Sequence, residues 1–145
     1  MDLYEFDKND PVLKAWQGVF PDVVKPEAEI SDELREHFRY PEDMFKVQRD
    51  LLARYHVDDP NVFFNNDAFW SVPNDPTAEE SRQLNQPPYY VMAAEPKTGK
   101  PTFQLTTSYR GLNREFLSAH MAVSSDPENY GDITVRVLPL SLIHI

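Results

Sequence analysis

Twenty-four carboxylates, four histidines and no cysteine are the material for chemistry in this 145-residue chain. Without thiols there is no disulfide, no zinc–thiolate site and no thiol nucleophile. The histidines lack metal-ligand spacing. His37 and His56 stand near helix ends, His120 lies on a strand and His144 falls in the last five residues. Asp7-Asn9-Asp10 and Asn65-Asn66-Asp67 are two oxygen-rich clusters, but a calcium loop needs alternating ligands, a turn glycine and a closing glutamate. Both clusters read instead as helix caps and turns. Ser124-Ser125-Asp126 has no nucleophile-elbow glycines and reads as a strand end. EPKTGKP, from Glu95, lacks the first glycine and the final hydroxyl of a phosphate loop, so it reads as a hairpin loop. Glycoside hydrolysis needs two carboxyl groups roughly 5–10 Å apart, and 24 acids along a chain single out no pair. The sequence therefore names no catalytic residue, no metal ligand and no cofactor.

Two surfaces remain. Gln104, Thr106, Ser108 and Arg110 alternate along one strand. They share a face with Ser118, His120, Thr134 and Arg136 if three strands pair in register, and Gln104, Arg110, His120 and Arg136 would then face a ligand. The solvent side of a half-covered antiparallel sheet has the same pattern. The aromatic set Phe63, Phe64, Phe69, Trp70, Tyr89 and Tyr90 reads as core, or as an interface with a further segment.

The elements that position these residues follow from periodicity. A short strand is expected within Met1 to Asp7. Asp10-Pro11 opens a helix through Phe20, with Val12, Leu13, Trp16, Val19 and Phe20 inward. Asp22 to Ile30 connects to a short helix capped by Ser31. The longest periodic stretch, Phe38 to Val57, is a helix with Pro41 at its first position. Its expected buried face is Met44, Val47, Leu51, Leu52 and Tyr55, with Phe45 at the edge. Lys46, Arg49, Asp50 and Arg54 would face solvent, with pairs Lys46–Asp50 and Asp50–Arg54. Asp59 caps another helix, which should run to Phe69 and end at Trp70. The polar stretch 71–88 has no period beyond a possible amphipathic turn at Glu79 to Leu84. From Tyr89 the period becomes two, which predicts strands at Tyr89–Ala94, Thr102–Arg110, Phe116–Ser124 and Ile133–Leu138. The chain is thus read as a single α+β domain, or part of one, over 1–145. A helical half (8–70) and a strand half (89–140) flank the linker (71–88), and a cluster of short helices packs on an antiparallel sheet of about four strands.

The net charge of −10 offers no electrostatic footprint for nucleic acid. No apolar run approaches the ~18–20 residues that span a bilayer, so this piece does not itself insert. Thirteen prolines against four glycines indicate short elements with rigid corners.

The order of DPVLKAW, FRYPEDMFKVQRDLLARYHV, DAFWSVPNDP, PPYY, FQLTTSYRGLNR and MAVSSDPENYG resembles uncharacterised protein family 0182 from Leu3 to about Pro139. The resemblance implies large multi-pass bacterial membrane proteins, frequent in actinobacteria, with this chain an internal piece of the extracytoplasmic region. The partner so implied is the remainder of the parent protein, at the cell membrane. Ser141 to Ile145 departs from the family pattern and is expected not to be native sequence. The expected function is an extracytoplasmic module with a structural or partner-binding role. The alternative is part of a cell-envelope enzyme acting on glycan or lipid through carboxylates.

Overall fold

The structure, a computed structural model, describes residues 2–79, 84–94 and 99–139. The EPKTGKP loop and the Glu79 to Leu84 turn lie partly outside these residues. Ser141 to Ile145, with His144, lies wholly outside them. The chain divides into two compact units, Met1–Phe38 and Arg39–Ile145, and the polar stretch 71–88 lies within the second.

In the first unit, β1 (Leu3–Tyr4) pairs in parallel with β2 (Val24–Lys25), a strand that the sequence did not announce. Between them runs α1 (Pro11–Val19). The Asp10 carboxylate accepts from the N–H groups of Val12 and Leu13, and Pro11 occupies the first turn. A 3-10 turn at Glu27–Glu29 leads to α2 (Asp32–Glu36), where the Ser31 hydroxyl accepts from Leu34 N–H. The Glu5 carboxylate accepts from Gln17 Nε2 and Glu27 N–H, both at 3.4 Å, and so ties α1 to the connector. Expectation and structure part on the helix face. Val12, Trp16, Val19 and Phe20 are exposed, and among the described residues of this unit Ile30 alone is buried. Trp16 and Phe20 stack on each other at 5.9 Å.

The second unit begins with α3 (Glu42–Tyr55). Pro41 is its N-cap, one position earlier than expected. Lys46 reaches back to Glu42 (2.7 Å) and Asp43 (3.5 Å), which replaces the expected pair with Asp50. The larger correction concerns its face. Phe45, Arg49 and Ala53 are buried, with Leu52 packed beside them. Leu51 is 53% exposed, and Met44, Val47 and Tyr55 are exposed with it. The helix carries two apolar stripes roughly a third of a turn apart at 3.6 residues per turn. Periodicity selected the stripe that this chain leaves open. Arg49 could not be placed inside from its charge, yet it is 5% exposed. Its guanidinium donates to Gln86 O (3.2 Å) and Asp50 (3.2 Å), which removes the penalty of an unpaired buried cation.

His56 caps α3. Its Nδ1 lies 2.8 Å from Leu52 O and its Nε2 3.1 Å from Ala68 O, and the ring stacks on Trp70 at 3.5 Å. Asp59 caps α4 (Pro60–Asn65) as expected. The helix stops four residues early, because Asn66 adopts a left-handed conformation (φ 60°) that ends a helix as glycine commonly does. The chain then turns into β3 (Trp70–Ser71), which pairs antiparallel with Gly111 and Arg110. Trp70 is therefore a strand residue, not a helix end.

The remaining strands match their expected bounds within a residue or two: β4 (Tyr89–Ala94), β5 (Pro101–Gly111), β6 (Leu117–Ser124) and β7 (Ile133–Val137). The antiparallel sheet has five strands. β3 and β4 both pair with β5, and β6 and β7 follow beyond it. The architecture is α+β. One face carries the core: Leu105, Tyr109, Ala119, Met121 and Val123 meet Tyr40, Phe45, Ala53 and Trp70. Burying each large apolar side chain stabilises by about 1.5–3 kcal/mol. The Tyr109 hydroxyl donates to the carbonyl of Arg49 (3.0 Å), and Tyr40 N–H donates to the Ser125 hydroxyl (3.1 Å). These two bonds pin α3 and its entry to the sheet.

Candidate functional site

Cross-strand register determines which polar residues meet. Thr106 lies opposite Ala122, and Ala122 opposite Thr134; Ser108 lies opposite His120, and His120 opposite Arg136. Directly paired residues project to the same side of an antiparallel sheet. The side away from the core therefore collects the alternate set foreseen from the sequence. It forms a concave groove of about 580 Å³ lined by Gln104, Thr106, His120, Thr134 and Arg136 among others. The short side chains of Ala93, Ala122 and Ser124 line it together with the longer Arg136 and His120.

Arg110, Ser108 and Ser118 stand outside this groove. The register shifts between Tyr109 and Arg110, so Arg110 faces Leu117 rather than continuing the alternation. Its guanidinium donates to the Ser71 hydroxyl (3.1 Å) and pairs with Glu115 (2.8 Å), and it borders a second cavity, of about 940 Å³, with Leu51 and Trp70. Ser118 borders a third, beside His56 and Trp70. A one-residue bulge re-aims a side chain in this way, and strict period-two counting does not see it.

The groove contains residues that sequence reasoning passed over: Asn129, Asp132, and Val91 and Ala93 of β4. Asn129 and Asp132 belong to the turn between β6 and β7. That turn closes through Gly131, at φ 85°, whose N–H donates to Ser124 O (3.0 Å). The turn signal DPENYGD was visible, but which side of the sheet it borders was not.

The groove is polar and partly satisfied within itself. The Thr102 and Gln104 side chains both donate to Ala93 O (3.3 Å each), and Ser124 donates to Asn129 Oδ1 (2.7 Å). Burial, and then the positive charge of Arg136, hold His120 below its usual basicity. Among the described lining residues Asp132 is the one carboxylate, where glycoside hydrolysis uses two. Among the described residues no group of three or more His, Asp or Glu could hold a metal ion. Asp7 accepts from Asn9 N–H (2.8 Å) and Asn66 ends a helix, so both oxygen-rich clusters are turn and cap structures. Of the aromatic set, Phe69 and Trp70 are buried, whereas Phe64 and Tyr89 are exposed.

The model of the uncharacterised protein family UPF0182 matches residues 1–143. The chain belongs to that family. The match takes in Ser141 to Ile143, part of the end expected to depart from the family pattern. A UPF0182 protein of Corynebacterium efficiens is 71% identical over 144 residues, which is 99% of this chain and 14% of that protein. UPF0182 proteins of Corynebacterium glutamicum (strain R) and Rhodococcus jostii are 72% identical over 140 residues and 65% identical over 137, covering 96% and 94% of this chain. In each of these the chain spans 14% of the relative's length. No solved structure matches it. Among the described residues no helix is long and apolar enough to cross a membrane.

Proposed function

We propose that this chain is an extracytoplasmic module of a multi-pass bacterial membrane protein, with a structural or partner-binding role toward the rest of that protein. The outward stripe of α3 carries the reading. Met44, Val47, Leu51 and Tyr55 follow one another at three- and four-residue steps, and all four are exposed. A stripe of this kind on an ordered helix is a docking surface, because contiguous apolar patches are disfavoured against water. A chain that spans 14% of its relatives leaves most of a larger protein to supply the cover.

The chain has no cysteine, so single cysteines placed in it report cleanly in a full-length protein freed of any others. Asp43→Cys sits on a fully exposed side chain and should react with a membrane-impermeant maleimide in intact cells. Reaction only after the cells are permeabilised would overturn the extracytoplasmic placement. Leu51→Cys should react only after denaturation. A rate equal to that of Asp43→Cys would show that nothing covers the stripe.

A further inference from the structure

The groove on the open face of the sheet has a charge pattern that the docking role does not use. Its cationic end is Arg136, whose direct cross-strand neighbour is His120. Arg136 makes no ion pair among the described residues, in contrast to Arg110, which is paired with Glu115. The anionic end is Asp132 with Asn129. Asn129 uses its carbonyl oxygen to accept from Ser124. Asp132 immediately precedes β7 and stands four positions before Arg136, a span of up to about 13 Å at 3.3 Å per residue. Between the two ends lie the Thr134 and Thr106 hydroxyls and a floor of Ala93 and Ala122. The volume, about 580 Å³, falls in the usual small-molecule range of roughly 300–1,000 Å³.

We propose that this groove binds a short zwitterionic peptide of about four small residues. The peptide lies extended along β7, with its terminal carboxylate on Arg136 and His120 and its terminal ammonium on Asp132. Opposite charges at the two ends select a ligand that is itself dipolar. A simple anion would make no use of Asp132, and a simple cation none of Arg136. An extended tetrapeptide has the matching span, because each residue adds about 3.3 Å. Its backbone amides meet the Thr134 hydroxyl, which both donates and accepts, and the Thr106 hydroxyl, which can only accept because it already donates to Tyr89 O (3.3 Å).

Isothermal titration of the full-length protein with tetra-alanine tests this. The free peptide should bind saturably. Acetylating its amino end or amidating its carboxyl end should each weaken binding about tenfold, the loss of one charge-assisted contact. Arg136→Gln should make the amidated and free peptides equal while leaving the penalty for acetylation in place. Asp132→Asn should do the reverse. Absence of saturable heat up to about 10 mM, where a site of millimolar Kd fills, would overturn the proposal. So would equal binding of free and capped peptides to the unmodified protein, a result that needs no variant to fold. Sensitivity to amidation alone would mean a site for simple carboxylates and would overturn the dipolar assignment.

Discussion

The two faces of one antiparallel sheet differ in almost every physical respect. On the covered face Leu105, Tyr109, Ala119, Met121 and Val123 are fully or almost fully buried beneath α3. On the open face, residues one position away along the same strands form a polar groove. The backbone, hydrogen bonds and twist are common to both. What separates them is the alternation of side chains and the presence of one helix. The buried core is concentrated on the first face, and the second is left open and polar. Substitutions should therefore sort by face rather than by strand.

The largest effect is expected from Phe45→Ala, which removes a fully buried ring between α3 and the sheet. Chemical denaturation should show a loss of about 3–5 kcal/mol, the range for a buried aromatic that leaves a cavity. A loss below about 1 kcal/mol would mean that α3 does not cover this face.

Tyr109→Phe is a gentler test of the same face. It keeps the ring and deletes the hydrogen bond to Arg49 O, at a cost of about 1 kcal/mol near neutral pH. Burial raises the pKa of this phenol well above its ordinary value of 10.0. The neutral hydroxyl thus contributes its full stability below about pH 10, and that contribution is lost as pH rises further, because the unfolded chain ionises first. The variant should show a shallower alkaline decline.

The open face supplies the opposite pH response, and a smaller one. His120 is held below its ordinary 6.5 by burial and by Arg136. Its contribution is complete above about pH 6.5 and falls away as pH drops, because the unfolded chain takes up the proton more readily. His120→Gln should flatten that acid limb in a series of thermal melts while leaving the melt at pH 8 almost unchanged. An unaltered acid limb would show that His120 is solvated and does not lie against Arg136.

The smallest effect should come from Leu51→Asp in this chain alone, within about 0.5 kcal/mol as for other surface substitutions. The sequence reading placed Leu51 inside, where the same change would unfold the protein. Its exposure of 53% reverses that expectation. A large loss in the isolated chain would restore the first assignment.

Much of the fold was readable from the chain. The strands β4 to β7 were placed closely because alternation in TFQLTTSYR and LSAHMAVS is a local signal, and Asp10, Ser31 and Asp59 announced three helix starts by cap chemistry. Five members of the groove, Gln104, Thr106, His120, Thr134 and Arg136, followed from the same alternation. The errors share one origin. Val12, Trp16, Val47 and Leu51 are apolar at helical spacing, and spacing says that a stripe exists without saying what meets it. Arg49 shows the converse, a charged residue drawn inside by the carbonyl of Gln86, 37 positions away.

By itself the sequence determined the type and order of the elements, their caps, the two-residue alternation that divides the sheet into a dry and a wet side, and membership of the UPF0182 family. These depend on neighbours within a turn or a strand pair, or on the identity of whole blocks. Tertiary structure decided which stripe of α3 is buried, that Trp70 joins the sheet, that Arg110 leaves the polar face at a bulge, and that Asn129 and Asp132 complete the groove. Each of those rests on contacts between residues far apart in the chain, where complementary shape and a hydrogen-bond partner outweigh local pattern.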